Sequence, residues 1–266
     1  MTIPRGGVPS PKYQRLAADL RRRIEAGEWQ GGAQLPVESE LEHHYGVARN
    51  TVRLAVDLLV NEGRLVRLQG KGTYLKQQPL LDHRAYAPAR VPGQRDSLAA
   101  PSEVYTTEAR AAGRRLTVDF EMLVVRARAD IAAWLGLTPG EAVVVRRQLR
   151  MTDREPYSIE ESHYRAGLAA GTSLMEPEPV PGGDETALAA IGRTETGGVD
   201  HLVSRMPGPA EAAWFEIGPG VPLLVQTRVS SDRRGPVRVI ETRYAADRCR
   251  LVYGLGEPVG RPYDFR

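Results

Sequence analysis

The sequence predicts an α+β protein of two domains, in which a small helical domain ending in a β-hairpin precedes a larger domain built on a mainly antiparallel sheet. Three observations lead to this prediction. Apolar residues recur at helical spacing up to residue 62, and a glycine-rich hairpin follows. The remainder contains a repeat at an offset of 80 residues, each copy of which has the pattern of a short helix and two strands. A chain of 266 residues is also long enough for two domains.

Three helices are predicted in the first domain: residues 12–26, a short helix that begins at Glu38, and residues 49–62. In the first helix Leu16, Leu20 and Ile24 lie four residues apart on one face. Glu38 is in the first turn of the second helix, where negative charge is favourable. His43 and His44 are adjacent and therefore point in different directions on a helix, so no metal site is predicted.

The third helix has an apolar face and a polar N-terminal end. Val56 and Leu59 belong to the apolar face, whereas Arg49, Asn50 and Arg53 lie at the N-terminal end. Arginine can bond bidentately to guanine and asparagine to adenine in the major groove. The pattern therefore predicts a recognition helix that reads DNA bases, and the alternative is that its arginines contact only phosphates or solvent.

A β-hairpin follows this helix. Two β-prone runs, residues 65–68 and 73–75, are joined by Gln69-Gly70-Lys71-Gly72. The glycines let the backbone turn and approach a sugar-phosphate strand, and Lys71 supplies a mobile positive charge. The hairpin is therefore predicted to be a wing that contacts DNA beside the recognition helix.

Charge is distributed unevenly along the chain. Residues 1–76 carry 12 Lys and Arg against 8 Asp and Glu, while residues 77–266 carry 24 against 25. A basic first domain and a near-neutral second domain indicate that only the first meets a polyanion, although an ordinary solvated surface is the alternative. The single cysteine, Cys249, excludes an internal disulfide. No apolar run approaches the roughly 20 residues that span a membrane, and no signal-peptide pattern begins the chain, so a cytoplasmic location is expected.

The first domain resembles the winged helix-turn-helix domain of the GntR family of bacterial transcriptional regulators. The matching residues are Tyr13, Ile24, Gly27, Gly32, Leu35-Pro36, Glu38, Leu41, Gly46-Val47, Arg49, Thr51-Val52-Arg53, Leu59, Glu62-Gly63 and Gly70-Lys71-Gly72-Thr73. The resemblance implies DNA contacts by Arg49, Thr51, Arg53 and Gly70. Val37 and Ala48 stand where Ser is common in the family, and Ala48 cannot cap its helix through a side chain. The predicted DNA-binding residues are Arg49, Asn50, Thr51, Arg53, Gln69, Gly70, Lys71 and Gly72.

The domains are predicted to comprise residues 1–76, a linker of residues 77–100 interrupted by prolines, and residues 101–266. Part of the linker fits a first strand of the second domain. A further strand is predicted near residues 116–127. The repeat pairs Ala133-Trp134 with Ala213-Trp214, Pro139-Gly140 with Pro219-Gly220, Val145 with Val225, Pro156 with Pro236, Glu161 with Glu241 and Tyr164 with Tyr244.

The second domain resembles, more loosely, the UTRA effector-binding domain of the HutC branch of the GntR family, whose fold is similar to that of chorismate lyase. The resemblance covers residues 100–253. It implies a homodimer in which a small molecule binds beside the sheet and changes the spacing of two DNA-binding domains. UTRA domains often carry two arginines at the positions of Gln148 and Arg150, which hold a phosphate or carboxylate of the ligand. Because only the second is Arg here, a carboxylate or other polar metabolite is favoured over a phosphorylated sugar.

Strand alternation predicts which side chains bind the effector. Arg146, Gln148 and Arg150 share one face of their strand. The repeat adds Arg228 at the position that matches Gln148. Hydrogen bonds to a ligand are predicted from Glu161, Tyr164, Glu241 and Tyr244, with cross-strand pairing within the sheet as the alternative.

Other classes of protein fit the sequence less well. No lysine follows Lys76, which excludes a pyridoxal phosphate Schiff base in the second domain. No catalytic or metal-binding constellation supports an enzyme, and no cofactor is expected. The sequence therefore predicts a homodimeric DNA-binding regulator, a repressor released from a palindromic operator by a small polar or anionic metabolite. The alternatives are a constitutive repressor whose second domain only dimerises and, more remotely, a lyase-like enzyme.

Overall fold

A computed structural model of the chain describes residues 10–76, 80–84 and 101–253. The chain divides into two compact units. The first comprises residues 1–79 and the segment Met206–Pro222, and the second comprises Leu80–Arg205 and Leu223–Arg266. No helix of the described residues is both long and apolar enough to cross a membrane.

In chain order the elements are α1 (Lys12–Glu25), α2 (Glu38–Tyr45), α3 (Arg49–Asn61), β1 (Leu65–Leu68), β2 (Gly72–Leu75), β3 (Leu81–Arg84), α4 (Pro101–Ala111), β4 (Leu116–Arg126), α5 (Ala129–Leu135), β5 (Ala142–Thr152), β6 (Glu155–Arg165), α6 (Ala166–Ala169), α7 (Asp184–Ala190), β7 (Gly197–Arg205), α8 (Pro209–Phe215), β8 (Leu223–Asp232), β9 (Gly235–Ala245) and β10 (Cys249–Val252). A 3₁₀ turn at Ser173–Met175 lies between α6 and α7. The α+β prediction is confirmed.

The first unit contains the three predicted helices and the predicted hairpin. Its core is formed by buried apolar residues on the inner faces of α1 and α3, including Leu20, Val52 and Leu59. The turn between α2 and α3 contains Gly46 in the left-handed conformation, at φ 59°, where glycine avoids the penalty of a side chain. Ala48 precedes α3 without a side-chain cap, as its sequence requires.

The second unit is organised by a six-stranded antiparallel sheet with the order β4-β5-β6-β9-β8-β7. Each half of this sheet is one copy of the repeat, because β4, α5, β5 and β6 correspond to β7, α8, β8 and β9. The copies meet where β6 pairs with β9, and Glu161 lies directly opposite its counterpart Glu241 at the centre. An approximate two-fold axis therefore passes between these two residues.

Each hairpin of the repeat contains a register shift. In the first, Thr152 pairs with Glu155 across the turn, but Arg150 pairs with Ser158, so one extra residue bulges from β6. In the second, the same shift lies between Ser230 and Ser231. A one-residue bulge exchanges the two faces for every residue beyond it.

The two faces of the sheet differ in character. One face packs against α5, where Ile131 and Leu135 contact Val143, Val145 and Val239. The other face is lined largely by polar side chains.

Residues 81–84 of the predicted linker form β3, which pairs in parallel with β10, where a first strand of the second domain was expected. Residues 77–79 and 85–100 lie outside the described residues. Helix α4 was not predicted from the sequence.

The β5–β6 turn stores backbone strain that glycine would relieve. Asp153 and Arg154 have positive φ angles of 52° and 72°. The left-handed conformation costs an ordinary residue about 1–2 kcal/mol, and the entropy cost of glycine offsets about half of that gain. Arg154→Gly is therefore expected to raise the free energy of unfolding by about 0.5–1 kcal/mol, measured by urea denaturation.

Arg233→Gly is the matched control for this prediction. Arg233 occupies the turn of the other hairpin, and it is not among the described residues with positive φ. The control should therefore leave the protein no more stable than wild type. Equal stabilisation by the two substitutions would contradict the strain argument.

Candidate DNA interface and effector face

The start of α3 and the hairpin lie on one surface of the first unit. The Glu38 carboxylate accepts a hydrogen bond from Arg49 Nε at 3.2 Å and lies 4.0 Å from Arg67 Nη2 on β1. Arg67 also pairs with Asp57 of α3. Glu38 thus joins the three elements that a winged DNA-binding domain would present together.

The N-terminal end of α3 is exposed. Arg49, Asn50 and Arg53 are all exposed, and the Arg49 side chain retains 74% of its accessible surface. The helix has no side-chain cap, so its first N–H groups carry unsatisfied positive polarity. Such an end attracts phosphate, and the arginine and asparagine side chains add donors suited to bases.

The tip of the hairpin is held in place by hydrogen bonds to one carbonyl group. Lys71 O accepts from Gln34 Nε2 at 3.1 Å and from Tyr74 Oη at 3.1 Å. Gly72 has a φ of 117°, and a Cβ atom there would stand 2.6 Å from Gln34 Nε2. The positive φ favours glycine at this position, and a larger residue would also displace the Gln34 side chain from its bond to the hairpin tip. The Lys71 side chain remains exposed beside this fixed backbone.

The polar face of the sheet carries charged and hydroxyl side chains across five adjacent strands. Its members share a face because they are direct partners in the strand register. They are Arg146, Gln148 and Arg150 on β5, Ser158, Glu160, Ser162 and Tyr164 on β6, Arg238, Thr242 and Tyr244 on β9, Gln226 and Arg228 on β8, and Asp200 on β7.

A buried ion pair lies at the centre of the polar face. Arg150 donates to Glu160 Oε2 at 3.0 Å and to Gln148 Oε1 at 2.8 Å, and only 1% of Arg150 is exposed. Burial alone would lower the pKa of Arg150 and raise that of Glu160. Their mutual attraction outweighs burial, so the pKa of Arg150 lies above and that of Glu160 below its usual value. Both groups are therefore charged.

Aromatic residues cover this ion pair. Tyr105 of α4 places its ring centroid 4.0 Å from the Arg150 guanidinium, and its hydroxyl lies 2.6 Å from the Tyr244 hydroxyl. His83 of β3 stacks on Tyr105 at 4.2 Å and lies 2.8 Å from Glu108. Sequence reasoning missed Tyr105 and His83, since no pattern along the chain indicates that β3 and α4 pack on this face.

Arg146 is bonded mainly to the loop that follows α6. Its Nε donates to Asp184 Oδ1 at 2.9 Å, and its terminal nitrogens donate to the carbonyl oxygens of Leu174, Glu176 and Glu178 at 2.8–3.1 Å. The loop at residues 172–184 is therefore held against β5 by Arg146. These bonds use four of the five N–H donors of Arg146, and its place in the effector site stays a prediction.

The remaining predicted residues of the polar face are also paired. Arg228 forms a bidentate ion pair with Asp200 at 2.6 and 2.7 Å. Tyr164 donates to Asp184 Oδ2 at 2.7 Å and lies 3.3 Å from Arg238 Nη1. Each arginine described on this face is thus compensated by a carboxylate.

Glu161 and Glu241 lie on the opposite face, away from the other six predicted effector residues. Glu161 accepts from Arg147 at 2.7 Å and pairs with Arg243, while Glu241 accepts from Arg128 at 2.9 Å. The structure therefore separates the eight predicted residues into six on the polar face and two on the α5 face. Glu160 is the carboxylate that meets Arg150, because the bulge between Pro156 and Ser158 of β6 puts Glu160 rather than Glu161 on the polar face.

Two family models match different parts of the chain. The sequence model described as bacterial regulatory proteins, gntR family, matches residues 12–75, and the model of the UTRA domain matches residues 112–250, more than half of the chain. The chain belongs to the GntR family and carries a UTRA domain. GntR regulators bind DNA through the winged helix-turn-helix domain, and UTRA domains bind small-molecule effectors. This GntR protein is therefore a transcriptional regulator and not an enzyme.

Individual relatives extend over most of the chain. An HTH-type transcriptional regulator of Rhizobium meliloti (strain 1021) is 27% identical over 245 residues, which are 90% of this chain and 93% of the relative. The HTH-type transcriptional repressor NagR of Bacillus subtilis (strain 168) is 30% identical over 161 residues, 60% of each chain. The crystal structure of a GntR-family regulator superposes with a TM-score of 0.61 at 24% identity, covering 94% of this chain and 99% of that one, which shows a shared fold.

Because Arg146 is buried, its replacement is expected to lower the stability of the protein strongly. Arg146→Ala leaves Asp184 and several carbonyl oxygens without their donor, and breaking a buried charge pair costs about 3–5 kcal/mol. The free energy of unfolding should fall by about that amount in urea denaturation. Arg233→Ala, in an exposed turn, is the control and should change stability by less than about 0.5 kcal/mol. A loss of similar size in both variants would contradict the structural role of Arg146.

Proposed function

We propose that this GntR regulator is a repressor that binds an imperfect palindromic operator as a homodimer and is released by a small polar or carboxylate metabolite bound at the polar face. The observation that carries the proposal is the surface on which the exposed end of α3 adjoins the hairpin through Glu38. The proposed DNA contacts are Arg49, Asn50, Thr51, Arg53, Gln69, Gly70, Lys71 and Gly72. The name of the relative NagR supports repression over activation.

The arrangement of α3 and the hairpin on this surface predicts how the operator is read. If α3 enters the major groove with its N-terminal end first, Arg49, Asn50 and Arg53 reach base edges while the hairpin tip lies over the adjacent backbone. Two such domains in a homodimer would read half-sites about 10 base pairs apart, centre to centre. Arg49 must then exchange its contact with Glu38 for one with DNA.

The effector class follows from charge compensation on the polar face. Arg150 and Arg228 are already paired with Glu160 and Asp200. Any anionic metabolite would have to displace a carboxylate from its arginine, and the cost is larger for a doubly charged phosphate than for a single carboxylate. A polar metabolite with hydroxyl or amine groups can donate to Glu160 and Asp200 without displacing either. Gln148, in place of a second arginine, removes one cation and supports the same class.

Selection of duplexes from a random DNA pool by the purified full-length protein tests the proposal directly. Enrichment of a palindromic motif is expected, and its genomic positions would indicate the pathway that supplies the effector. Failure to enrich any motif by folded, dimeric protein would count against sequence-specific regulation.

Arg53 provides the sharpest test of base reading. Arg53→Ala should weaken binding to the selected operator by about 1–3 kcal/mol, because a bidentate contact to guanine would be lost. Arg53→Lys keeps the charge but not the bidentate geometry, so it should retain affinity for random duplex while losing most of the preference for operator. Fluorescence anisotropy on both duplexes measures this. If the lysine variant keeps full preference, Arg53 contacts only phosphate.

Glu160 tests the effector site. A metabolite at 100 times its dissociation constant stabilises the protein by about 2.7 kcal/mol, which a thermal-shift screen detects. For a metabolite with hydroxyl or amine donors that raises the Tm of wild type, Glu160→Gln should weaken binding by about tenfold or more, since a hydrogen bond to a charged group is lost. For a carboxylate metabolite the same variant should bind more tightly than wild type, because Glu160 no longer competes for Arg150. Glu121→Gln removes a carboxylate from the opposite face and should bind as wild type does. Equal binding by all three proteins would place the effector elsewhere, and no stabilising metabolite would favour a constitutive repressor.

A further inference from the structure

The C-terminal end of α3 is completed by a residue from far along the chain. The last four carbonyl groups of an α-helix have no partner within the helix. In α3 three of them are satisfied locally: Leu58 O by Glu62 N, Leu59 O by Arg64 N and Val60 O by Gly63 N. The fourth, Asn61 O, accepts from Gly220 N at 2.9 Å. Gly220 thus caps the recognition helix from a distant part of the sequence.

The loop that supplies this cap fits closely against the helix end. A Cβ atom at residue 220 would stand 2.9 Å from Asn61 C and 3.4 Å from Glu62 N, and closer still to the Asn61 carbonyl oxygen. A Cβ atom at residue 218 would stand 3.3 Å from Val60 O and 3.6 Å from Asn61 Cα. Real Cβ atoms do not approach backbone as closely as the first of these. Space therefore requires glycine at position 220.

The repeat provides an internal comparison. Gly140 occupies the matching position of the first copy, where its φ is 89° and a Cβ atom would meet nothing within 4 Å. Gly140 is needed for its backbone conformation alone. Gly220 has no left-handed φ and is needed only for the contact with Asn61. The same Pro-Gly pair thus makes a simple turn in one copy and a contact with α3 in the other.

The segment that contains the capping loop is joined directly to two strands of the polar face. The segment Met206–Pro222 belongs to the first unit, but it directly follows β7 and directly precedes β8. These two strands carry Asp200, Gln226 and Arg228 of the polar face. We propose that the Gly218-Pro219-Gly220 loop is a coupling contact, through which β7 and β8 control the position of the recognition helix. This inference rests on the proposed effector function of the polar face.

Hydrogen exchange on the full-length chain tests whether the cap forms. Gly220→Ala introduces a methyl group that cannot fit against Asn61, so amides in residues 58–64 and 216–222 should exchange about tenfold faster. Gly167→Ala is the matched control, because Gly167 has no left-handed φ and open space at its Cβ position. It should leave both segments unchanged. Exchange in Gly220→Ala equal to wild type in both segments would overturn the contact.

A disulfide tests whether the contact transmits a signal. A cysteine at position 218 would place its Cβ within reach of one at position 61, and the buried native Cys249, whose thiol pKa is raised by burial to about 12, does not compete. The double variant Asn61→Cys with Gly218→Cys should form an intramolecular disulfide on oxidation. A natively folded double variant that forms no disulfide would overturn the contact independently of the exchange experiment.

Operator binding by the oxidised and reduced double variant provides the functional measurement. If the loop controls the recognition helix, locking it should change the dissociation constant for the selected operator by about tenfold or more, the usual size of a coupling between sites. Equal constants would overturn the coupling while leaving the contact intact. Failure of wild type to select any operator would instead be a failure of the proposed function, and it would not affect the exchange and disulfide results.

Discussion

The one-residue bulge in each hairpin is the constraint on which the second unit depends. Without it, β5 and β6 would continue in the register set at Thr152 and Glu155, and Glu161 would lie opposite Arg146 on the polar face. With it, Glu160 faces Arg150 and Glu161 turns to the α5 face. Because the second hairpin is shifted at the matching position, the two halves of the sheet keep a common pair of faces. One inserted residue therefore determines the chemistry of both faces.

Charge compensation is the consequence of that arrangement. The polar face buries several guanidinium groups that would be too costly without partners, and carboxylates from β6, β7 and α7 satisfy them. Such a network is stable only while it is complete, and a ligand can enter it only by exchanging partners. A face of this kind suits a sensor, since the arrangement of its ion pairs depends on what occupies it. Arg146 belongs to the same network and supports the loop at residues 172–184 through its bonds to carbonyl oxygens.

In the first unit, the proposed functions depend on the polar groups at the two ends of α3. The N-terminal end of α3 has no side-chain cap and presents positive polarity beside Arg49, Asn50 and Arg53. Its C-terminal end is closed by local N–H groups except at Asn61, where Gly220 supplies the donor. The proposed recognition surface and the proposed coupling contact thus lie at opposite ends of one helix. A rigid helix of this length transmits a displacement at one end to the other without any change in its own structure.

Local patterns along the chain were enough to predict the elements of the first domain, because helical periodicity, turn glycines and the hairpin act over a few residues. The repeat and the strands of the second domain could also be predicted, since matched pairs such as Tyr164 and Tyr244 are visible by comparing the chain with itself. Three features emerge only in the folded chain: Glu160 rather than Glu161 meets Arg150, Tyr105 and His83 cover this pair, and Gly220 caps α3. These features depend on strand register and on contacts between distant segments, and local spacing along the chain does not encode either.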